Sequence, residues 1–281
     1  MVERTVLREN HATVLTAKLF NLREVVVTAV VPDPIVEGLK ARVLGGPTVL
    51  IEYGGVRLLT DPTFDPAGEY PGAVPLTKTA GSPVSADQVG QVDAVLLSHD
   101  EHADNLDTAG RAFVKQAPLT LTTPSGAERL GGHARGLEPW ETVELPRPGG
   151  GTLSVTGAPA LHGPEGSQPV VGDVTGFILS GEGLPTVYVS GDNASVELVR
   201  EIAGRYSIDT AILFAGAVRP PMFNGEPLTL DADRAVEAAK LLNAPRVLIA
   251  HVDSWAHFSE DLGHTVAAFD DAGLGDRLVR R

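Results

Sequence analysis

The order of apolar runs and helical stretches constrains this chain more than any other feature. From Ala41 onward the apolar residues come in short runs cut by glycine pairs. ARVLGG, PTVLIEY and VRLLTDP read as three strands, with Gly54-Gly55 turning the second into the third. After a Pro/Gly/Thr-rich loop at 62–83, QVDAVLLS is continuously apolar, the mark of a strand covered on both faces. PLTLTT, ETVEL, TLSVTGAPA, VTGFILS and PTVYVSG follow as strands, and RPGGG and GEG read as turns. The last third then alternates: helix ASVELVREIAGRY, strand IDTAILFAG, helix ADRAVEAAKLLN, strand RVLIAH, helix SEDLGHTVAAF. Hairpins first and βα units afterwards imply an α/β fold of mixed sheets with helices on the outside. No linker or short repeat interrupts residues 41–281, which read as one domain. Residues 1–40 read as an amino-terminal extension in which ATVLTAKLFNLREVVVTAVVPDP, a helix followed by an extended piece, ends at Pro32 and Pro34; its only imidazole is His11, and no metal ligand is expected from residues 1–36.

Composition narrows the chemistry. With an apolar share of 43% and a mean hydropathy near zero, the chain can bury a sizeable core. It has no cysteine, so disulfides, thiolate catalysis and iron–sulfur clusters are excluded. Any metal must be held by nitrogen and oxygen donors, which suits zinc, manganese or iron. The net charge of −14 disfavours a phosphate-backbone contact surface, so nucleic acid is not the expected partner. No run reaches the ~18 apolar residues of a membrane span. MVERTVLREN lacks the basic start and apolar run of a secretory signal, and a cytoplasmic enzyme is the expectation.

The histidines carry the functional signal. His99, His102, His162 and His251 each fall just after an expected strand, as do Asp61, Asp104 and Asp192. A strand end is rigid while the loop beyond it exposes the side chain, so scaffolds place functional donors there. Imidazole and carboxylate together match the donors of hydrolytic zinc and manganese sites. Alone, the dense SHDEHADNLD stretch at 98–107 could be a solvated loop capping the next helix. Together with His162, Asp192 and His251 it points to a metal centre.

The order His-x(1–2)-His-x-Asp, then a histidine after a strand, an aspartate in SGD and a late histidine in IAH resembles the metallo-β-lactamase superfamily from about Ala41 to the carboxyl terminus. LLTDPTF, LSHDEHADNLD, GDN and IAH are most similar to its ascorbate-6-phosphate-lactonase-like branch. The resemblance implies a four-layered αβ/βα sandwich and one or two divalent ions, zinc first and manganese or iron next. It places His99, His102 and His162 on the first ion, Asp104 and His251 on the second, and Asp192 between them. Asp104 would also orient the attacking water and handle its proton. Asp61 would accept a hydrogen bond from a ligand imidazole or else cap its Asp-Pro turn.

The chain departs from the family pattern twice. One extra residue separates His99 from His102, and counting back without a gap puts Asp100 where the first histidine belongs. Asn105 stands where the motif ends in histidine, so the second position should bind weakly, recruit another donor such as Glu101, or stay empty. His257 and Trp255 are expected near the pocket or substrate, while His264, His133 and His11 are expected on the surface. Asp231 and Asp233 should cap a helix, and Gly149 to Gly151 make a turn.

The activity implied is hydrolysis of a small ester, lactone or phosphodiester. Its competitors are a catalytically weak ligand-binding or sensor protein, in which Asn105 has disabled a binuclear site, and a nucleic-acid-processing phosphodiesterase. The expected partner is a small-molecule substrate, and a homo-oligomer is compatible with the sequence.

Overall fold

The computed structural model describes residues 30, 32–72 and 74–279. Residues 1–29, with His11, lie outside the described residues, so the reading of that stretch rests on sequence alone.

The first sheet has seven strands, in the order β1 (Asp33–Val36), β2 (Leu39–Val43), β3 (Val49–Tyr53), β4 (Val56–Thr60), β7 (Ala94–Leu96), β8 (Thr120–Thr122) and β9 (Ala134–Gly136). Its edge strand Asp33–Val36 pairs antiparallel with Leu39–Val43, so the sheet takes in residues read as part of the extension. The second sheet has six strands, in the order β10 (Thr142–Pro146), β11 (Thr152–Pro159), β12 (Thr175–Ser180), β13 (Val187–Val189), β14 (Thr210–Phe214) and β15 (Arg246–Ala250). Both sheets begin as antiparallel meanders and end in parallel strands.

Strand alternation sends side chains to opposite faces, which makes four layers. Ile51, Leu58 and Leu96 meet Val155, Phe177, Val189 and Ile212 in the core between the sheets. On the outer face of the first sheet, Leu50, Leu59 and Val95 are covered by α1 (Ala86–Val89) and α2 (Thr108–Val114). Ile178, Tyr188, Leu213 and Ile249 face outward from the second sheet. They pack under α5 (Val196–Arg205), α6 (Ala232–Leu242) and α7 (Leu262–Asp271). The architecture is the αβ/βα sandwich. No described helix is long and apolar enough to cross a membrane.

Strand direction positions the site. β4 and β7 run parallel, as do β13, β14 and β15, and β11 runs the same way as β13 because β12 reverses between them. The carboxyl ends of β4, β7, β11, β13 and β15 carry Asp61, His99, His162, Asp192 and His251 respectively. Two hydrogen bonds hold the sheet edges together there: Thr175 N to Ser98 O at 3.1 Å, and His251 N to Gly46 O at 2.8 Å.

Several short elements were not apparent from sequence pattern. The 62–83 loop contains a hairpin, β5 (Gly68–Tyr70) and β6 (Leu76–Lys78), too short to show alternation. α3 (Pro124–Leu130) is a two-turn helix capped by Thr123, and α4 (Gln168–Val171) is a single turn. The hairpin is fastened to the loop after β15 by Thr79 N to Ser254 O at 2.8 Å and Ala256 N to Thr77 O at 3.0 Å. A buried ion pair ties it to the far side. Lys78 Nζ lies 2.8 Å from Asp107 Oδ2, with both side chains at most 1% exposed. Asp107 also caps α2, accepting Gly110 N at 2.7 Å. Removing one partner of such a pair strands the other charge in the interior. Lys78→Met is therefore expected to lower unfolding stability by roughly 3 kcal/mol in denaturant titrations at pH 7. A loss below ~0.5 kcal/mol would mean that the tie contributes no more than a surface pair.

Candidate metal centre

Three imidazoles converge at this edge. His99 Nε2 lies 2.9 Å from His102 Nδ1, and His162 Nε2 lies 3.3 Å from the same atom. The ligand-capable atoms of these three residues all fall within 4.8 Å of one another. His99 and His162 are buried, and His102 is half-buried.

The surroundings decide which nitrogens carry protons. His162 Nδ1 lies 2.7 Å from Leu228 O; a carbonyl can only accept, so Nδ1 is the protonated nitrogen and Nε2 turns a lone pair inward. Ser98 Oγ donates to Asp61 Oδ1 at 2.7 Å, and His99 Nδ1 lies 3.0 Å from that hydroxyl. With the hydroxyl proton committed to Asp61, His99 Nδ1 donates to Ser98 and its Nε2 also faces inward bare. Burial, joined by the neighbouring imidazole of His102, keeps His99 neutral, with a pKa well below the ordinary range. Burial likewise lowers that of His162. A single proton on His102 Nδ1 can satisfy one of the two facing lone pairs but not both, whereas a cation between the three nitrogens satisfies all of them. Two nitrogens about 2.0 Å from one tetrahedral ion stand about 3.3 Å apart, close to the spacings here.

A second group adjoins the first. His251 Nδ1 lies 3.2 Å from Asp192 Oδ1, and His251 Nε2 lies 3.3 Å from Asp104 Oδ2. Neither ring nitrogen is in hydrogen-bonding geometry, and Asp192 Oδ2 is also buried without a hydrogen-bond partner. That oxygen stands 3.8 Å from His162 Nε2, so Asp192 lies between the two groups. Burial opposes charge on His251, but the carboxylates of Asp192 and Asp104 outweigh it and push its pKa up to about 10. For Asp104, burial opposes ionisation, yet the imidazoles of His251 and His257 hold it well below the usual carboxylate range. Orphaned donors and paired carboxylates make an imidazole–carboxylate set suited to zinc, manganese or iron.

The backbone is shaped for this convergence. His251 has φ of 60°, a conformation that non-glycine residues adopt at a cost. Gly191 has φ of 55°, and a Cβ there would sit 2.6 Å from Thr175 O, so the turn that presents Asp192 needs glycine.

The structure separates the alternatives left by the sequence. His99, not Asp100, faces His102. Asp100 is engaged by Arg129, whose Nε and Nη2 lie 3.0 and 2.6 Å from Oδ1, and its carbonyl accepts from Arg111. Glu101 also pairs with Arg129, at 3.1 Å. Asn105 Nδ2 donates to Asp192 Oδ1 at 3.1 Å. Asp61 does not bond an imidazole directly; it acts on His99 through Ser98, accepting the Ser98 amide at 2.9 Å and its hydroxyl. Burial raises the pKa of Asp61 to about 8. His133 and His264 are exposed, the latter bonded to Asp261 at the start of α7. Asp231 caps α6, and Gly149 to Gly151 form the β10–β11 turn.

Sequence reading missed the partners. Arg129 and the Leu228 carbonyl lie outside the motif stretch, and Ser98 opens it with nothing local to mark it as the support of His99. His257 was placed only near the pocket, yet its Nε2 lies 2.9 Å from Asp104 Oδ2. Its signal was its place six residues after His251 in the same loop. Asp100→Asn should lower stability by about 1 kcal/mol through loss of the Arg129 pair, with histidine-cluster NMR shifts unchanged. Large shifts at His99 and His102 would instead place Asp100 within the cluster.

Residues 56–252 match the family model described as a beta-lactamase superfamily domain. A UPF0173 metal-dependent hydrolase from Nitratidesulfovibrio vulgaris is 30% identical over 225 residues, 74% of this chain and 76% of the relative. One from Pelotomaculum thermopropionicum is 27% identical over 83% of this chain and 93% of the relative. Among solved structures, an isothiocyanate hydrolase from Delia radicum gut bacteria superposes with a TM-score of 0.73 at 20% identity, covering 85% of this chain and 94% of that one. A metallo hydrolase from Ignicoccus hospitalis gives 0.64 at 20% identity, covering 86% and 94%. These two share the fold. With the family model spanning most of the chain, the protein belongs to the beta-lactamase superfamily and is a metal-dependent hydrolase.

Proposed function

We propose that the chain hydrolyses a small ester, lactone or phosphodiester, using a divalent ion held by His99, His102, His162 and Asp192, with zinc first and manganese or iron next. The observation that carries this reading is the pair of bare nitrogens, His99 Nε2 and His162 Nε2, facing His102 Nδ1 at 2.9 and 3.3 Å. Asp104 and His251, with Asp192 shared, would hold a second ion.

A bound ion of this kind supplies Lewis acidity, lowering the pKa of water to about 7 and polarising the oxygen that gains charge. The chain's own residues do the rest. Asp104, kept ionised by its imidazole partners, can only accept hydrogen bonds, so it would orient a water hydrogen and receive the proton on its carboxylate. Ser98, held by Asp61, keeps the His99 ring turned with Nε2 inward, and the Leu228 carbonyl does the same for His162. Trp255 is buried beside His257 and packs on Tyr70 of the hairpin, with ring centroids 5.1 Å apart, so this wall limits solvent entry. The net charge of −14 favours a small substrate over a polyanion.

His102→Ala is the direct test, because this residue is half-buried and its loss should leave the fold intact. The variant should lose the tightly held ion in elemental analysis. Its turnover of a panel of lactones, thioesters and phosphodiesters should fall at least ~100-fold. Full metal content and unchanged turnover would refute the assignment.

A further inference from the structure

The second group lacks an imidazole where the family pattern leads one to expect it, and the neutral amide of Asn105 stands in that place. Its amide nitrogen faces Asp192 Oδ1 at 3.1 Å, with Ser98 Oγ at 3.4 Å and Asp61 Oδ1 at 3.5 Å. The ionised Asp192 oxygen only accepts, so the amide turns its N–H to that carboxylate, and its Oδ1, a neutral and weak donor, is buried without a hydrogen-bond partner. Glu101 and Asp100 are both committed to Arg129. The usual neighbours in the motif loop are therefore occupied.

Another chain segment brings an imidazole to the same carboxylate. We propose that His257 is a donor to a second divalent-metal position formed with Asp104, His251 and Asp192, supplying the imidazole that Asn105, a weak amide donor, does not. This rests on reading the edge as a metal centre. His257 Nε2 and His251 Nε2 stand 2.9 and 3.3 Å from one oxygen, Asp104 Oδ2, the spacing that marks the three-histidine cluster beside them. With Asp192, the set is two imidazoles and two carboxylates, a hard-to-borderline environment suited to zinc, manganese or iron.

The placement of His257 is built into the loop. Its ring meets Trp255 and Phe258 edge-on, at centroid distances of 6.0 and 4.7 Å. Phe258 in turn packs on His251 at 4.6 Å, so both imidazoles share one aromatic support. Backbone bonds from Thr79 to Ser254 and from Ala256 to Thr77 fix the segment to the hairpin. Lys78, in the same hairpin, is anchored to Asp107 at the end of the motif loop. The segment bearing His257 and the loop bearing Asp104 are thus held against each other. The side chain of His257 is 19% exposed, enough for an ion to reach it.

A simple hydrogen-bond donor to Asp104 and a metal donor differ in what can replace them. Glutamine can donate to the carboxylate but is a poor ligand, and phenylalanine keeps the aromatic packing without any nitrogen. The full-length apo-protein, titrated with Zn²⁺ alone in a calorimeter, should take up two ions. His257→Gln and His257→Phe should keep the first step within about threefold, while the second weakens at least ~10-fold or disappears. Asn105→Ala should still bind two ions. Circular dichroism identifies any misfolded variant, and either folded variant suffices for the comparison. The proposal is overturned if wild-type protein binds one ion, or if a folded His257 variant binds two with the second step within threefold of wild type. It is also overturned if a folded His257 variant loses both. Failure of the first position is a separate result, read from His102→Ala retaining its ion.

Discussion

The structure depends on an electrostatic debt at one edge of the sandwich. Asp104 and Asp192 are buried at 5% and 1% exposure, and both are held ionised despite that burial. A carboxylate withdrawn from water is costly unless a cation or strong donors compensate. His251 compensates by holding a proton between them, while His99 and His162 stay neutral and point bare nitrogens at His102. A divalent ion there would resolve both strains, offsetting the carboxylates and giving the lone pairs a partner. Because His251 would have to shed its proton first, binding and proton release would be linked.

The fold makes this arrangement reachable from distant parts of the chain. Parallel pairing puts the ends of β4, β7, β13 and β15 on one side, and the reversal at β12 brings β11 to join them. Rigid strands then present each donor after a tight turn. Two glycines at this edge leave no room for a side chain: Gly191 in the turn before Asp192, and Gly216 after β14, whose Cβ would meet His251 O at 2.3 Å. Packing in the core and geometry at the edge are therefore one problem, because the strands that bury Leu96, Val189 and Ala250 also aim the site.

Much of this was legible in sequence because it depends on local pattern. Apolar runs located the long strands, and the histidines and aspartates just past them marked the edge. What was not legible depends on partners far along the chain. Whether His99 or Asp100 turns inward is settled by Arg129, which lies 29 residues from Asp100 and draws it away. The orientation of Asn105 depends on Asp192, 87 residues on, and the tautomer of His162 on the Leu228 carbonyl, 66 residues on. His257 gave a weaker signal than the motif histidines, since nothing local says that its loop folds back over Asp104, 153 residues earlier. The β5–β6 hairpin was hidden because GEY and LTK hold too few apolar residues to make a run, unlike the equally short β7 and β13.

If the imidazole cluster holds a cation, anomalous diffraction will locate it. Crystals grown with Zn²⁺ and measured on both sides of the zinc absorption edge should show a strong anomalous peak within about 2.0–2.1 Å of His99 Nε2, His102 Nδ1 and His162 Nε2. Asp100 should remain on Arg129. No peak among these nitrogens at saturating zinc, with the three rings linked only by hydrogen bonds or water, would mean that the cluster is not a metal site.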